Sequence, residues 1–142
     1  MPLKGHQSIC EPRQKIIVSK DKRESRRHIA NNVNNNLVSH YQIDGVVIIS
    51  EKKCDFLLIN EESMIAYLIE LKGKNISDAI DQLENTERVL KSELSIYKLK
   101  YRIITNGTST HNLTSLKYKK FIEKRPGRDT VKPKTWIFEE DI

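Results

Sequence analysis

Aromatic side chains are scarce in this 142-residue chain, with three Phe, one Trp and five Tyr, so its core must rest on Ile, Leu and Val. No stretch approaches the roughly 20 apolar residues that cross a bilayer, and no membrane span is expected. Residues 1–15 scatter their charges and hold no apolar run, so no secretory signal is expected there and a cytoplasmic location is. Cysteine is nearly missing. Cys10 and Cys54 stand far apart in no CxxC or Cys/His spacing, which argues against structural zinc and fits a reducing compartment. His6, His28, His40 and His111 lack metal-ligand spacing, and Ser109, Thr110 and His111 lack an oxyanion-hole motif. There is no Gly-rich phosphate loop, which argues against ATP dependence within the chain.

What is present is a soluble composition, 31% charged and 37% hydrophobic, of a length for one domain. The net charge of +6 is concentrated towards the ends. Lys117, Lys119, Lys120, Lys124, Arg125, Arg128, Lys132 and Lys134 face only Glu123 and Asp129 in the same stretch. Lys20, Lys22, Arg23, Arg26 and Arg27 add a second basic region, while the middle is slightly acidic. Basic ends around an acidic centre suit a polyanion held around a bound cation. A lysine-rich solubilising surface is the plainer account of the same residues.

Periodicity predicts an αβββαβ order. Ser19 or Asp21 would cap a first helix, with Glu24 completing a capping box and Ile29, Val33 and Leu37 at helical spacing. Residues 42–50 read as a strand around Val46-Val47-Ile48-Ile49. Strands are also expected at 55–59 and 64–72, joined by Asn60-Glu61-Glu62-Ser63. Ser77 would cap a second helix with Ile76, Ile80, Leu83, Leu90 and Leu94 as its buried stripe. A fourth strand at 101–105 would lie parallel to the third, followed by a short helix at 116–123 and a strand at 136–138. Ile16-Ile17-Val18 could add an edge strand. The chain divides into a single domain over 1–142, with an N-terminal extension at 1–18 and a basic C-terminal extension at 113–142.

The hairpin of the second and third strands carries the chemistry. A turn centred between Glu61 and Glu62 sets Asp55 opposite Leu68 and diagonal to Glu70. Leu68, Glu70 and Lys72 alternate onto one face, so Asp55, Glu70 and Lys72 converge at the end of an apolar hairpin. Carboxylate oxygens, helped by the Leu71 carbonyl, are hard ligands suited to Mg²⁺ or Mn²⁺. Lys72 would orient a water or neutralise a phosphorane-like transition state. Taken alone, an E-x-K tripeptide is more often a structural salt bridge.

Cys54-Asp55-Phe56-Leu57-Leu58, a turn, and Tyr67-Leu68-Ile69-Glu70-Leu71-Lys72 together resemble the PD-(D/E)xK nuclease superfamily, as does the surrounding element order. Cys54 stands where the motif often has proline. The resemblance implies a restriction-endonuclease-like core, a mixed sheet with helices on both faces. It implies a Mg²⁺- or Mn²⁺-dependent DNA endonuclease in which Asp55 and Glu70 hold the metal and Lys72 assists the attack. A role in defence, repair or junction resolution would fit. Glu24 and Gln82 are accessory candidates, against a capping box and a solvated helix face respectively. Lys74 is a phosphate contact or an exposed turn residue, and Asp44 is better explained by a turn with Gly45 than as a ligand. Lys117, Lys119, Lys120, Lys124, Arg125 and Arg128 would hold the DNA backbone. The alternative is an inactive module of the same fold that binds nucleic acid or a protein. A homodimer or a larger complex is expected, with Trp136, Ile137 and Phe138 as an interface unless they are core.

Overall fold

The computed structural model of the chain describes residues 3–22, 25–45, 47, 53–71, 75–106 and 115–142. Its elements are β1 (Ile16–Lys20), β2 (Arg27–Asn31), β3 (Val38–Gln42), β4 (Phe56–Asn60), β5 (Ile65–Leu71), α1 (Ile76–Val89), β6 (Lys98–Thr105), α2 (Leu116–Glu123), β7 (Val131–Thr135) and β8 (Ile137–Asp141). They make a mixed α/β fold with a five-stranded sheet, order β3-β4-β5-β6-β7, and a three-stranded sheet, order β1-β2-β8. No helix among the described residues is long and apolar enough to cross a membrane.

Strand alternation sorts the side chains into two cores. Leu57, Ile59, Ala66, Leu68, Tyr101 and Ile103 of the large sheet pack with Ile76, Ala79, Ile80 and Leu83 of α1 and Tyr118 and Phe121 of α2. Phe56, Leu58, Tyr67, Ile69 and Ile104 point the other way, onto Ile17, Ala30 and Phe138 of the small sheet. The order is therefore helices, large sheet, small sheet, which corrects the expectation of helices on both faces. β3, β4 and β5 form an antiparallel meander, and α1 carries the chain over to β6, parallel to β5.

The helix expected from Ser19 or Asp21 to Leu37 is absent: β1 and β2 form an antiparallel hairpin there. Ile29, Val33 and Leu37 match a helical period, but the inward positions are Ile17, Ser19, His28 and Ala30, which alternate. Asn32 then builds the following turn. Its Nδ2 donates to the Gln14 and Asn36 carbonyls at 3.0 and 2.8 Å, and its Oδ1 accepts from Asn36 N at 2.9 Å. Such side-chain bonds compete directly with helical ones.

Of the strand expected at 42–50, Gln42 ends β3, the described residues 43–45 and 47 belong to no strand, and 46 and 48–50 lie outside the described residues. Gly45 has φ +78°, which carries the chain out of the sheet. Of the apolar run 46–49 only Val47 is described, and it packs partly buried on the helical core. The strand expected at 136–138 becomes β8, preceded by the unexpected β7. β7 contains Pro133 and lies at the edge of the large sheet, where a missing N–H is tolerated. Trp136 joins the two at φ +61°. Its N donates to Thr105 O at 2.7 Å and its carbonyl accepts from Arg27 N at 3.0 Å, so this corner ties both sheets together.

Polar groups also bridge the two sheets. Arg102, 1% exposed, donates from Nε and Nη2 to Glu140 Oε2 and Oε1 at 2.8 and 3.1 Å. The fully buried His28 meets Glu140 Oε2 through Nε2 at 2.6 Å. The Arg102 guanidinium lies over the rings of Tyr67 and Phe138. Nearby, His40 Nε2 and Ser19 Oγ are 2.8 Å apart.

Candidate active site

The hairpin brings Asp55 and Glu70 together, in a register different from the expected one. Asn60 pairs with Ile65 and Leu57 with Leu68, so the turn is centred one residue later and every partner moves by two. A two-residue shift keeps each side chain on its face, and Glu70 stays on the face of Leu68, toward α1. Asp55 is not opposite Leu68. Its N donates to Ile69 O at 3.1 Å while Phe56 also pairs with Ile69, the two-against-one count of a β-bulge. The bulge turns the Asp55 carboxylate onto the end of β5, where Oδ2 accepts from Leu71 N at 2.8 Å.

Burial raises Asp55 above the ordinary aspartate value of 3.8. The Leu71 amide and a hydrogen bond with the Glu70 side chain pull the other way, and the charges of Asp44 and Asp21 add to the rise. Glu70 is 1% exposed. In the amide orientation that satisfies both of its ends, Gln82 donates to Glu70 Oε2 at 2.9 Å and to Asp78 O at 3.1 Å. Gln82 thus sits at the cluster and is not on a solvated helix face.

Neighbouring residues hold this geometry. Asn75 caps α1, its Oδ1 accepting from Asp78 N at 3.2 Å, where Ser77 was expected to cap. Thr86 Oγ1 donates to Gln82 O at 2.8 Å and accepts from Cys54 N at 2.8 Å, which ties α1 to the residue before Asp55. The Cys54 thiol is fully buried, and burial raises its pKa, so it acts as packing. No local pattern points to Thr86, whose role depends on the phase of α1 relative to β4. Asp44 is held by Lys53 Nζ at 3.5 Å, and the charge of Asp21 is felt at Asp55. Glu24, Lys72 and Lys74 lie outside the described residues.

Two hard carboxylates and a backbone carbonyl fit Mg²⁺ or Mn²⁺, which use one or two carboxylates and complete their shell with water and substrate phosphate. The Leu71 amide faces Asp55, and in a strand the carbonyl of a residue points the same way as its amide. Among the described residues no group of three or more His, Cys, Asp or Glu could hold a metal, which does not suit an all-protein zinc cage.

α2 lies beside the start of α1. Lys117 Nζ donates to Ser77 Oγ at 2.8 Å and is 2.7 Å from Asp81 Oδ1. Lys119, Lys120, Lys124 and Arg128 are exposed and make no ion pair among the described residues. Arg125 differs: Glu87 accepts from its Nη2 and Nε at 3.0 and 3.2 Å, and its guanidinium lies 3.9 Å from the Phe121 ring centre. Its charge is already engaged inside the protein.

Comparison with protein-family models, with curated proteins and with solved structures finds no match.

Proposed function

We propose that the chain is a divalent-metal-dependent nuclease acting on DNA, with a restriction-endonuclease-like core and Asp55 and Glu70 as its catalytic carboxylates. The observation that carries this reading is the meeting of Asp55, Glu70 and the Leu71 backbone at one end of the β4–β5 hairpin, with buried Glu70 held by Gln82. Two carboxylates brought together out of water are costly unless a proton or a cation joins them. The segment β3-β4-β5-α1-β6 also has the strand-strand-strand-helix-strand order of that core, with the small sheet where the first helix would lie.

Asp55, Glu70 and the Leu71 carbonyl would hold Mg²⁺ or Mn²⁺. When bound, that ion supplies positive charge to the phosphate oxygens and lowers the pKa of water. Gln82 fixes the orientation of the Glu70 carboxylate, and Lys72 neutralises charge that grows on the phosphate. Lys119, Lys120, Lys124 and Arg128 hold the DNA backbone; Lys120 and Lys124 lie beside Ile80 and Glu84 of α1, the helix that carries Gln82. A cytoplasmic nuclease of defence, repair or junction resolution would need this much and little more.

One observation favours a second reading, an inactive module that binds DNA. Glu70 is almost wholly covered, so the cluster is also a self-contained polar knot. Incubation with linear, single-stranded, flapped and four-way-junction DNA, with Mg²⁺ or Mn²⁺ and with chelator, separates the two. Metal-dependent cutting of any of them supports the nuclease. Binding without cutting leaves the inactive module, and neither binding nor cutting rejects both.

A further inference from the structure

We infer that the outer face of the small sheet is self-complementary and docks a second copy of the chain about a two-fold axis. The face lies on the far side of the small sheet from the large sheet and the helices, so the inference does not depend on the proposed nuclease activity.

The outward side chains of β1, β2 and β8 form a grid of three rows set by the strand register. Lys20, Arg27 and Ile137 share the first row, Val18, Ile29 and Glu139 the second, and Ile16, Asn31 and Asp141 the third. One corner is basic, through Lys20 and Arg27. The opposite corner is acidic, through Glu139 and Asp141. Between them runs a diagonal of Ile16, Ile29 and Ile137, of which Ile16 is 56% and Ile137 39% exposed. Val18, 43% exposed, widens the apolar band, and Trp136, 48% exposed, borders it beside Ile137.

A two-fold axis lying in the plane of this face along the isoleucine diagonal brings each isoleucine towards its own mate. The same operation sets Lys20 against the partner's Asp141, Arg27 against the partner's Glu139 and Val18 against the partner's Asn31. Symmetry makes every such pair twice. All four charges are available for this: Lys20, Arg27, Glu139 and Asp141 make no ion pair within the chain among the described residues. Asn31 Nδ2 donates to Glu139 Oε2 at 2.9 Å and holds that carboxylate on the outer face. A nucleic acid is a poor alternative occupant, because half of the face would repel phosphate. The footprint of three five-residue strands is only about 14 by 17 Å. That is well below the roughly 800 Å² per partner of a standard interface, so association is weak and concentration-dependent.

Sedimentation velocity from about 1 μM to about 1 mM protein tests this. The wild-type chain is expected to pass from monomer to dimer within that range, and added salt should weaken the dimer. Arg27→Glu or Glu139→Arg alone should weaken it about tenfold, since each turns two attractive pairs into repulsive ones. The double variant restores opposite charges across the axis and should recover dimerisation. Thermal melts establish that the variants fold, and Lys20→Glu with Asp141→Lys is a second swap if either does not. A chain monomeric throughout, a dimer indifferent to the single reversals, or a folded double variant that fails to recover would each overturn the proposal. None of these results bears on DNA cleavage, which is assayed separately.

Discussion

Replacing Glu140 with alanine is expected to loosen the contact between the two sheets. Glu140 receives two hydrogen bonds from the buried Arg102 and one contact from His28. Burial alone would raise its pKa, but His28 and Arg102 outweigh burial and hold the carboxyl down to about 2, against an ordinary glutamate value of 4.5. A shift of that size corresponds to about 3 kcal/mol of folding stability. Removing one partner from a buried pair costs roughly 3–5 kcal/mol by the general rule. The low end applies, because Arg102 Nη1 keeps the carbonyls of Tyr101, Asp129 and Thr130 at 3.1, 2.9 and 3.3 Å. Urea titration at pH 7 should therefore show a loss of about 3 kcal/mol, with a melting temperature about 10 °C lower. The folded chain keeps Glu140 ionised where the unfolded chain takes up a proton. Its contribution is thus complete above pH 4.5 and drains away as the pH falls toward 2. A loss under about 1 kcal/mol would mean that the pair behaves like an exposed salt bridge, and the account of the interlayer would fail.

Burial and the nearby His28 lower His40 from 6.5 to about 4, so the unfolded chain gains a proton there first as acid is added. Stability should fall between pH 6.5 and about 4, and His40→Gln should flatten that part of a denaturation–pH profile. Neutralising Lys119, Lys120 and Lys124 together should weaken binding to all DNA sequences alike, and should flatten the salt dependence by about one unit per lost phosphate contact. Arg125→Ala should instead cost about 2 kcal/mol of stability, read by denaturant titration, through the lost Glu87 pair and Phe121 stacking. Gln82→Leu should slow cleavage about 10- to 100-fold by releasing the Glu70 carboxylate while leaving DNA affinity unchanged in a gel-shift assay.

The hairpin and the helix after it were legible in the sequence because their signals are local and agree. Strands at 55–59 and 64–72 became β4 and β5 nearly as read, and Ile76, Ile80 and Leu83 became the buried stripe of α1. Leu90 and Leu94 are buried as expected but lie beyond the helix. The expected edge strand at Ile16-Ile17-Val18 is β1, at the edge of the small sheet. β2 was hidden because its inward residues, His28 and Ala30, are not strong strand formers, whereas Ile29, Val33 and Leu37 offered a helical period. β2 is also fixed by pairing with β8, more than a hundred residues away, which no local window contains. The cluster Trp136, Ile137 and Phe138 separates for the same reason. Phe138 enters the core, Ile137 points outward, and Trp136 makes the corner between sheets. That Glu70 shares the face of Leu68 was readable from parity, since any even shift of the hairpin keeps it there. The bulge that redirects Asp55 was not.

Glu70→Gln is the variant that tests the proposed roles of Asp55 and Glu70 in metal-dependent DNA cleavage. Cleavage rate and DNA affinity would be measured side by side for wild type and variant on one substrate, with Mg²⁺ or Mn²⁺. Because the substitution removes one of two neighbouring carboxylates, the variant should melt no lower than wild type. Unchanged DNA affinity is expected, with cleavage slowed by about a thousandfold or more. A folded Glu70→Gln chain that cuts at the wild-type rate would contradict those roles.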